Sequence, residues 1–179
     1  MRIIAIDVGI TGALASLNEA GELCYFADLP IASSGATKWV DGGRLLTMLF
    51  KAREGEPARV FVEYMHALPM IASAADPNPT ARGGGIWAAS AKGMVLGSVL
   101  AVLQVAQLPY ELVVPQKWKR ALGLLMPEAS YAQKKQASLD LARTLFPKAQ
   151  AGLARYRDNG RAEAILIGHW ALTQWKAAA

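Results

Sequence analysis

A chain of 179 residues fits one domain and is long enough to bury a substantial core. Apolar residues make up 53% and charged ones 18%, below the ~25% usual for globular proteins, which points to a well-covered sheet, an oligomer interface or both. The single cysteine, Cys24, excludes an internal disulfide framework and a cysteine-rich zinc site.

In chain order, Ile3–Asp7 is an apolar run closed by an acid, and Gly9 and Gly12 mark the turn after it. It meets that charge too early for the apolar core of a secretory signal, so a cytoplasmic protein is expected. Ala13–Leu17 and Glu22–Leu29 read as the next two strands of an antiparallel meander, with Cys24 as a small core residue of the third. Asp41 caps a helix to about Lys51, with Leu45, Leu46, Leu49 and Phe50 on one face. Arg59–Tyr64 is a strand that carries a second acid near its end.

Residues 65–85 hold three prolines and three consecutive glycines, the signature of a long loop, and such loops tend to be functional. A helix is expected from Ile86 to about Gln107. Its apolar stretch Gly93–Leu103 is roughly half as long as a membrane span, so it reads as a buried helix. Tyr110–Val114 is a strand stopped by Pro115, and helices follow over 116–122, 131–145 and 159–175. Together these imply one mixed sheet with helices around it.

Net charge is +5, unevenly spread. Val113–Glu163 holds ten Lys and Arg against four acids, whereas residues 1–112 sum to −2. A one-sided basic half is the footprint of a polyanion.

Asp7 and Glu63 each end an apolar strand, and two such acids on neighbouring strands need a cation between them. Asp158 and Glu163 flank the start of the last helix; Asp158 also stands where an N-cap would. Four carboxylates without a His/Cys cluster favour Mg²⁺ or Mn²⁺ over Zn²⁺. Two such ions roughly 4 Å apart suit phosphodiester hydrolysis. His66 and His169 do not have a zinc spacing.

The segments IIAIDVGITGALA, VFVEY, VVPQKWKRALGL, AQKKQASLDLARTLFP and RDNGRAEAILIG, in that order, resemble the RuvC-type Holliday junction resolvases of the RNase H-like superfamily, especially their smaller phage and prophage members. The resemblance implies an α/β fold over residues 1–179: a mixed five-stranded sheet, three antiparallel strands then parallel ones, flanked by helices. It implies a homodimer that nicks four-way DNA junctions symmetrically, with two Mg²⁺ or Mn²⁺ ions per site held by Asp7, Glu63, Asp158 and Glu163. Lys119 resembles the family's lysine after the fifth strand and Lys134 the one that opens the next helix, near the scissile phosphate; either can neutralise phosphate charge or assist proton transfer. Lys117, Lys119, Arg120, Lys134, Lys135 and Arg161 are the expected DNA contacts. Leu68 or Met70 is the expected wedge that unstacks a base step. The helix bearing Gly93 and Gly97 corresponds to the family's dimer interface.

The sequence departs from the family at three places. Val8 replaces a proline in the first turn, Asn159 stands where many phage relatives have an Asp, and Glu163 stands where bacterial enzymes have Asp. Two other readings therefore stay open: a DNA-binding module that has lost cutting, and a nuclease for other branched DNA or RNA–DNA hybrids.

Overall fold

The computed structural model describes residues 1–64 and 85–178. Alternating apolar residues build strands β1 (Arg2–Asp7), β2 (Ala13–Asn18) and β3 (Leu23–Asp28), an antiparallel meander. Next comes a small hairpin, β4 (Ile31–Ser34) and β5 (Thr37–Val40), which pair with each other as a separate sheet. Helix α1 (Gly42–Arg53) starts at Asp41, whose carboxylate accepts the Arg44 backbone N–H, as its position before the apolar stripe predicts.

Strand β6 (Ala58–Glu63) lies parallel to β1, and β7 (Tyr110–Val113) lies parallel to β6. The sheet order is β3-β2-β1-β6-β7, three antiparallel strands followed by parallel ones. Between β6 and β7 runs α2 (Gly85–Val105). Helices α3 (Pro115–Ala121), α4 (Tyr131–Leu145) and α5 (Asn159–Ala178) complete the fold, with 3₁₀ turns at Pro147–Leu153 and Tyr156–Asp158 before α5.

The sheet is covered on both faces, which accounts for the low charge content. Ile4, Ile6, Leu14, Val60 and Val62 pack under α1 and α2. Ile3, Ala5, Ala15, Leu17 and Phe61 pack under α5 together with residues of α3 and α4. Because side chains alternate along a strand, Asp7 shares the face of Ile3 and Ala5, and Glu63 shares that of Phe61. Both acids thus project toward α3 and α5. The pairing of Ile6 with Val62 brings the next residues of the two strands, Asp7 and Glu63, side by side.

Two expectations change. The β4–β5 hairpin is too short and too exposed to stand out by alternation. Cys24 is exposed, on β3, the strand at the outer edge of the sheet. Leu68, Met70 and His66 lie outside the described residues. Among the described residues, no helix is long and apolar enough to cross a membrane.

Candidate active site

Asp7, Glu63 and Glu163 each bring one carboxylate oxygen to within 4.8 Å of the others. Three elements meet here: the ends of β1 and β6 and the first turns of α5. The approach of α5 depends on Gly160. A Cβ built there would stand 2.2 Å from the Thr11 carbonyl oxygen and 3.3 Å from Oδ2 of Asp7. Only a residue without a side chain lets the helix sit so close to the turn after β1.

Helix α3 braces the cluster with two consecutive residues. Trp118 is fully buried, and its indole N–H donates to Glu63 Oε1 at 2.9 Å. Lys119 Nζ donates to Glu163 Oε1 at 3.0 Å, an ion pair that is largely sheltered from solvent. From α4, the buried Ser138 hydroxyl lies 3.2 Å from the same Glu163 oxygen. Neither Trp118 nor Ser138 stood out in the sequence, since a tryptophan or serine in a helix ordinarily reads as core or as surface. The resemblance placed a lysine at 119, and the structure puts its ammonium on the acids.

The electrostatics follow from this crowding. Burial, and then the charges of Glu63 and Glu163, push the Asp7 carboxyl well above the usual range. Burial and the Glu163 charge also raise Glu63, partly offset by the Trp118 hydrogen bond and Lys119. One lysine does not balance three acids. Among the described residues the donor set is all carboxylate oxygen, with no His or Cys, which fits a hard divalent cation such as Mg²⁺ or Mn²⁺.

The structure does not bring Asp158 into this group. It is buried in the turn before α5, where Oδ2 accepts the Arg155 backbone N–H at 2.8 Å and Oδ1 accepts the Arg155 guanidinium at 2.7 Å. That guanidinium holds the Asp158 carboxyl below its ordinary range. Its oxygens are engaged by Arg155 in closing the turn before α5, rather than by the acidic cluster. The neighbouring Asn159 is also buried, its amide reaching the Lys135 carbonyl at 3.4 Å.

The expected DNA contacts divide. Lys134 is exposed at the start of α4, its Nζ 3.3 Å from the Pro127 carbonyl, and Arg120 is exposed on α3. Lys135 lies over the rings of Tyr131 and Tyr156, and Lys117 over that of Trp170. Arg161 instead forms a two-pronged ion pair with Asp28 at 2.5 and 2.6 Å and donates to the Gly152 carbonyl. These bonds give Arg161 a structural role, tying α5 to β3, rather than the free guanidinium that a phosphate contact requires. His169 packs edge-on against Phe146.

The Trp118 hydrogen bond can be tested directly. Trp118→Phe keeps most of the ring volume but leaves Glu63 Oε1 without its donor. Partners that orient metal ligands are typically worth ~10–100-fold in metal affinity. Calorimetric titration of the variant with Mn²⁺ should show a Kd at least about tenfold weaker than that of the parent. An unchanged Kd would show that the bond does not orient the ligand.

Comparison with known proteins agrees with this architecture. No family model matches the chain. Over 57 residues, 32% of the chain, it is 47% identical to the chloroplast Holliday junction resolvase MOC1 of Chlamydomonas reinhardtii, and the match spans only 6% of that protein's length. The structure is similar to Thermus thermophilus RuvC in complex with a Holliday junction substrate, with TM-score 0.57 and 18% identity over 100% of this chain and 98% of that one. A second structure of Thermus thermophilus RuvC gives TM-score 0.51, also at 18% identity, over 99% of this chain and 97% of that one. With its three antiparallel strands, two parallel strands and helices on both faces, the chain has an RNase H-like fold, the fold it shares with these RuvC structures.

Proposed function

We propose that the chain is a metal-dependent, structure-specific endonuclease that nicks four-way DNA junctions as a homodimer. The observation that carries this is the convergence of Asp7, Glu63 and Glu163, with Lys119 among them, on a fold shared with a RuvC solved on junction DNA. Asp7, Glu63 and Glu163 hold Mg²⁺ or Mn²⁺, two ions if the number follows the resemblance. Bound there, the metal supplies Lewis-acid activation of water and charge neutralisation at the phosphate. The chain's own groups do the rest. Trp118 fixes Glu63, Ser138 and Lys119 fix Glu163, and Lys119 and Lys134 offer ammonium groups to the phosphate backbone. The excess of positive charge in the second half draws DNA to this side, and the cytoplasm is the compartment we assign.

The dimer reading draws support from α2. Val95, Val99 and Leu103 bury its inner face, while Gly93, Met94 and Gly97 lie exposed with none of the described residues against the glycines. That outer face admits close approach of a second helix.

The test is nicking of a synthetic four-way junction beside linear duplex, fork and RNA–DNA hybrid. Fast nicking of the junction alone is expected, and equal rates on linear duplex and junction would defeat the proposal. A non-cutting DNA-binding module is the second reading, favoured by a neutral Asn159 and an Asp158 engaged elsewhere. Weak or absent Mg²⁺ binding by calorimetry would support that alternative.

The raised acids also predict how metal and pH act on stability. A carboxyl whose folded pKa lies above its unfolded value favours the fold fully only below the unfolded pKa. That stability is lost as pH rises toward the folded pKa. Asp7 and Glu63 therefore weaken the metal-free fold above the ordinary carboxylate range. A divalent ion displaces their protons, so it should stabilise more at pH 8 than at pH 5. At a hundredfold excess over Kd the gain is about 2.7 kcal/mol, or roughly 5–10 °C in Tm for a domain this size. Thermal melts with and without Mg²⁺ should show that increment at pH 8 and a much smaller one at pH 5. Equal increments would count against a cluster that holds protons when metal is absent.

A further inference from the structure

Lys135 touches two tyrosines at the start of α4. Tyr131 precedes it by one helical turn, which puts both side chains on one face of the helix. Tyr156 comes from the 3₁₀ turn before α5. The Lys135 ammonium stands 4.8 Å from the centre of the Tyr131 ring and 5.7 Å from that of Tyr156. Both rings are open to solvent, Tyr131 by 73% and Tyr156 by 48%, so neither serves the core. The backbone under them is well tied. Arg155 and Asp158 close the turn, and the Asn159 amide reaches the Lys135 carbonyl at 3.4 Å. The next residue, Gly160, lies against the turn after β1 and beside Asp7, so the tyrosines and the acidic cluster flank the same end of α5.

The charge around the rings is not offset. Between Ser130 and Asp158 the acids are Asp140 and Asp158, and each is paired with an arginine, Arg143 and Arg155. Arg157 follows Tyr156 and is exposed, with no ion pair among the described residues. Lys134 is exposed on the first turn of α4.

We propose that this face is a stacking site for unpaired bases, by which the protein holds single-stranded DNA beside the acidic cluster. The choice of DNA rests on the nuclease reading above. Phosphate binding alone needs Lys134, Lys135 and Arg157 and gives the tyrosines nothing to do. Exposed rings set among cations are the make-up of a single-strand site, because every base has a π-face and every nucleotide a phosphate. A duplex keeps its base faces covered in its own stack, so it can use the cations but not the rings. Lys135 is held among the described residues by these exposed rings. Its ammonium can therefore turn to a phosphate as a base takes its place on a ring.

The test is fluorescence anisotropy on the full chain, with EDTA present so that no strand is cut. The probe is a labelled single-stranded oligothymidine about 12 nucleotides long. It is compared with an abasic chain of equal length and with a linear duplex, all at one salt concentration. The oligothymidine should bind at least about fivefold tighter than the abasic chain, which has the same phosphates and no bases. Tyr131→Leu and Tyr156→Leu should each weaken oligothymidine binding at least about fivefold, yet leave duplex binding within about twofold. Tyr131→Phe and Tyr156→Phe keep a ring and should stay within about twofold of the parent on every probe, which separates loss of a ring from loss of the fold. Equal binding of the abasic and base-bearing chains overturns the inference. So does full binding by both leucine variants, or an equal loss on duplex and single strand. These titrations do not depend on cutting. Base-dependent binding without nicking of any junction refutes the nuclease reading alone, and nicking with base-independent binding refutes the stacking site alone.

Discussion

Asp7→Asn should lower junction nicking by a thousandfold or more while binding of the junction survives. Asp7 is where the like charges of Glu63 and Glu163 converge, and its removal takes one carboxylate from a three-carboxylate site. Metal-ion stabilisation of a developing charge is worth several kcal/mol, and ~4 kcal/mol is about three powers of ten in rate. The same change should help the metal-free fold. An asparagine amide can donate to Glu63 where a carboxylate needed a proton, so Tm at pH 8 without metal should rise by roughly 2–4 °C, about 1 kcal/mol. Rate, junction affinity and melting temperature measured on one preparation check all three parts. Normal nicking by the variant in Mg²⁺ would sink the metal-site assignment. Asp158→Asn is the informative partner. It should lower stability by loosening the turn before α5 yet keep nicking within a few-fold, because its oxygens serve Arg155.

Gly160→Ala should cost stability and metal affinity together. The added methyl would stand 2.2 Å from the Thr11 oxygen and 3.2 Å from its carbonyl carbon, both backbone atoms that no rotamer change can move aside. Helix α5 must withdraw from the turn after β1, an overpacking strain of about 3 kcal/mol. Melting should fall by roughly 6–12 °C. Because α5 carries Glu163, the withdrawal also widens the cluster, and Mn²⁺ binding by calorimetry should weaken at least about tenfold, the usual loss when a ligand is poorly oriented. Gly168→Ala, further along the same helix, is the control. Its methyl would meet Leu17 Cδ1 at 2.5 Å, the end of a side chain that can turn, so stability drops less and Mn²⁺ affinity holds. If both variants bind Mn²⁺ like the parent, the close approach at Gly160 does not set the geometry of the site.

Much of the site was legible in the sequence because two of its acids obey strand periodicity. Asp7 and Glu63 end apolar runs, and adjacent parallel strands place such ends together whatever the rest of the fold does. Trp118 was not legible. Its role depends on where a seven-residue helix docks, and a tryptophan after Pro-Gln-Lys carries no local sign that its N–H will meet a carboxylate. Gly160 was hidden for a similar reason, since its need is for an absent side chain against a turn nearly 150 residues away in the chain.

By itself the sequence determined the order and type of nearly all the elements, the doubly covered sheet and the first two acids. These follow from local periodicity, capping and composition. Only the tertiary structure decided the third acid. Asp158 and Glu163 stand five residues apart and were both candidate ligands, with an N-cap as the other reading of Asp158. The chain enters α5 through a tight turn that consumes Asp158 in a bond to Arg155, and the helix then carries Glu163 round to face Asp7 and Glu63. Which carboxylate is left free depends on where its neighbours pack, and composition and spacing do not encode that.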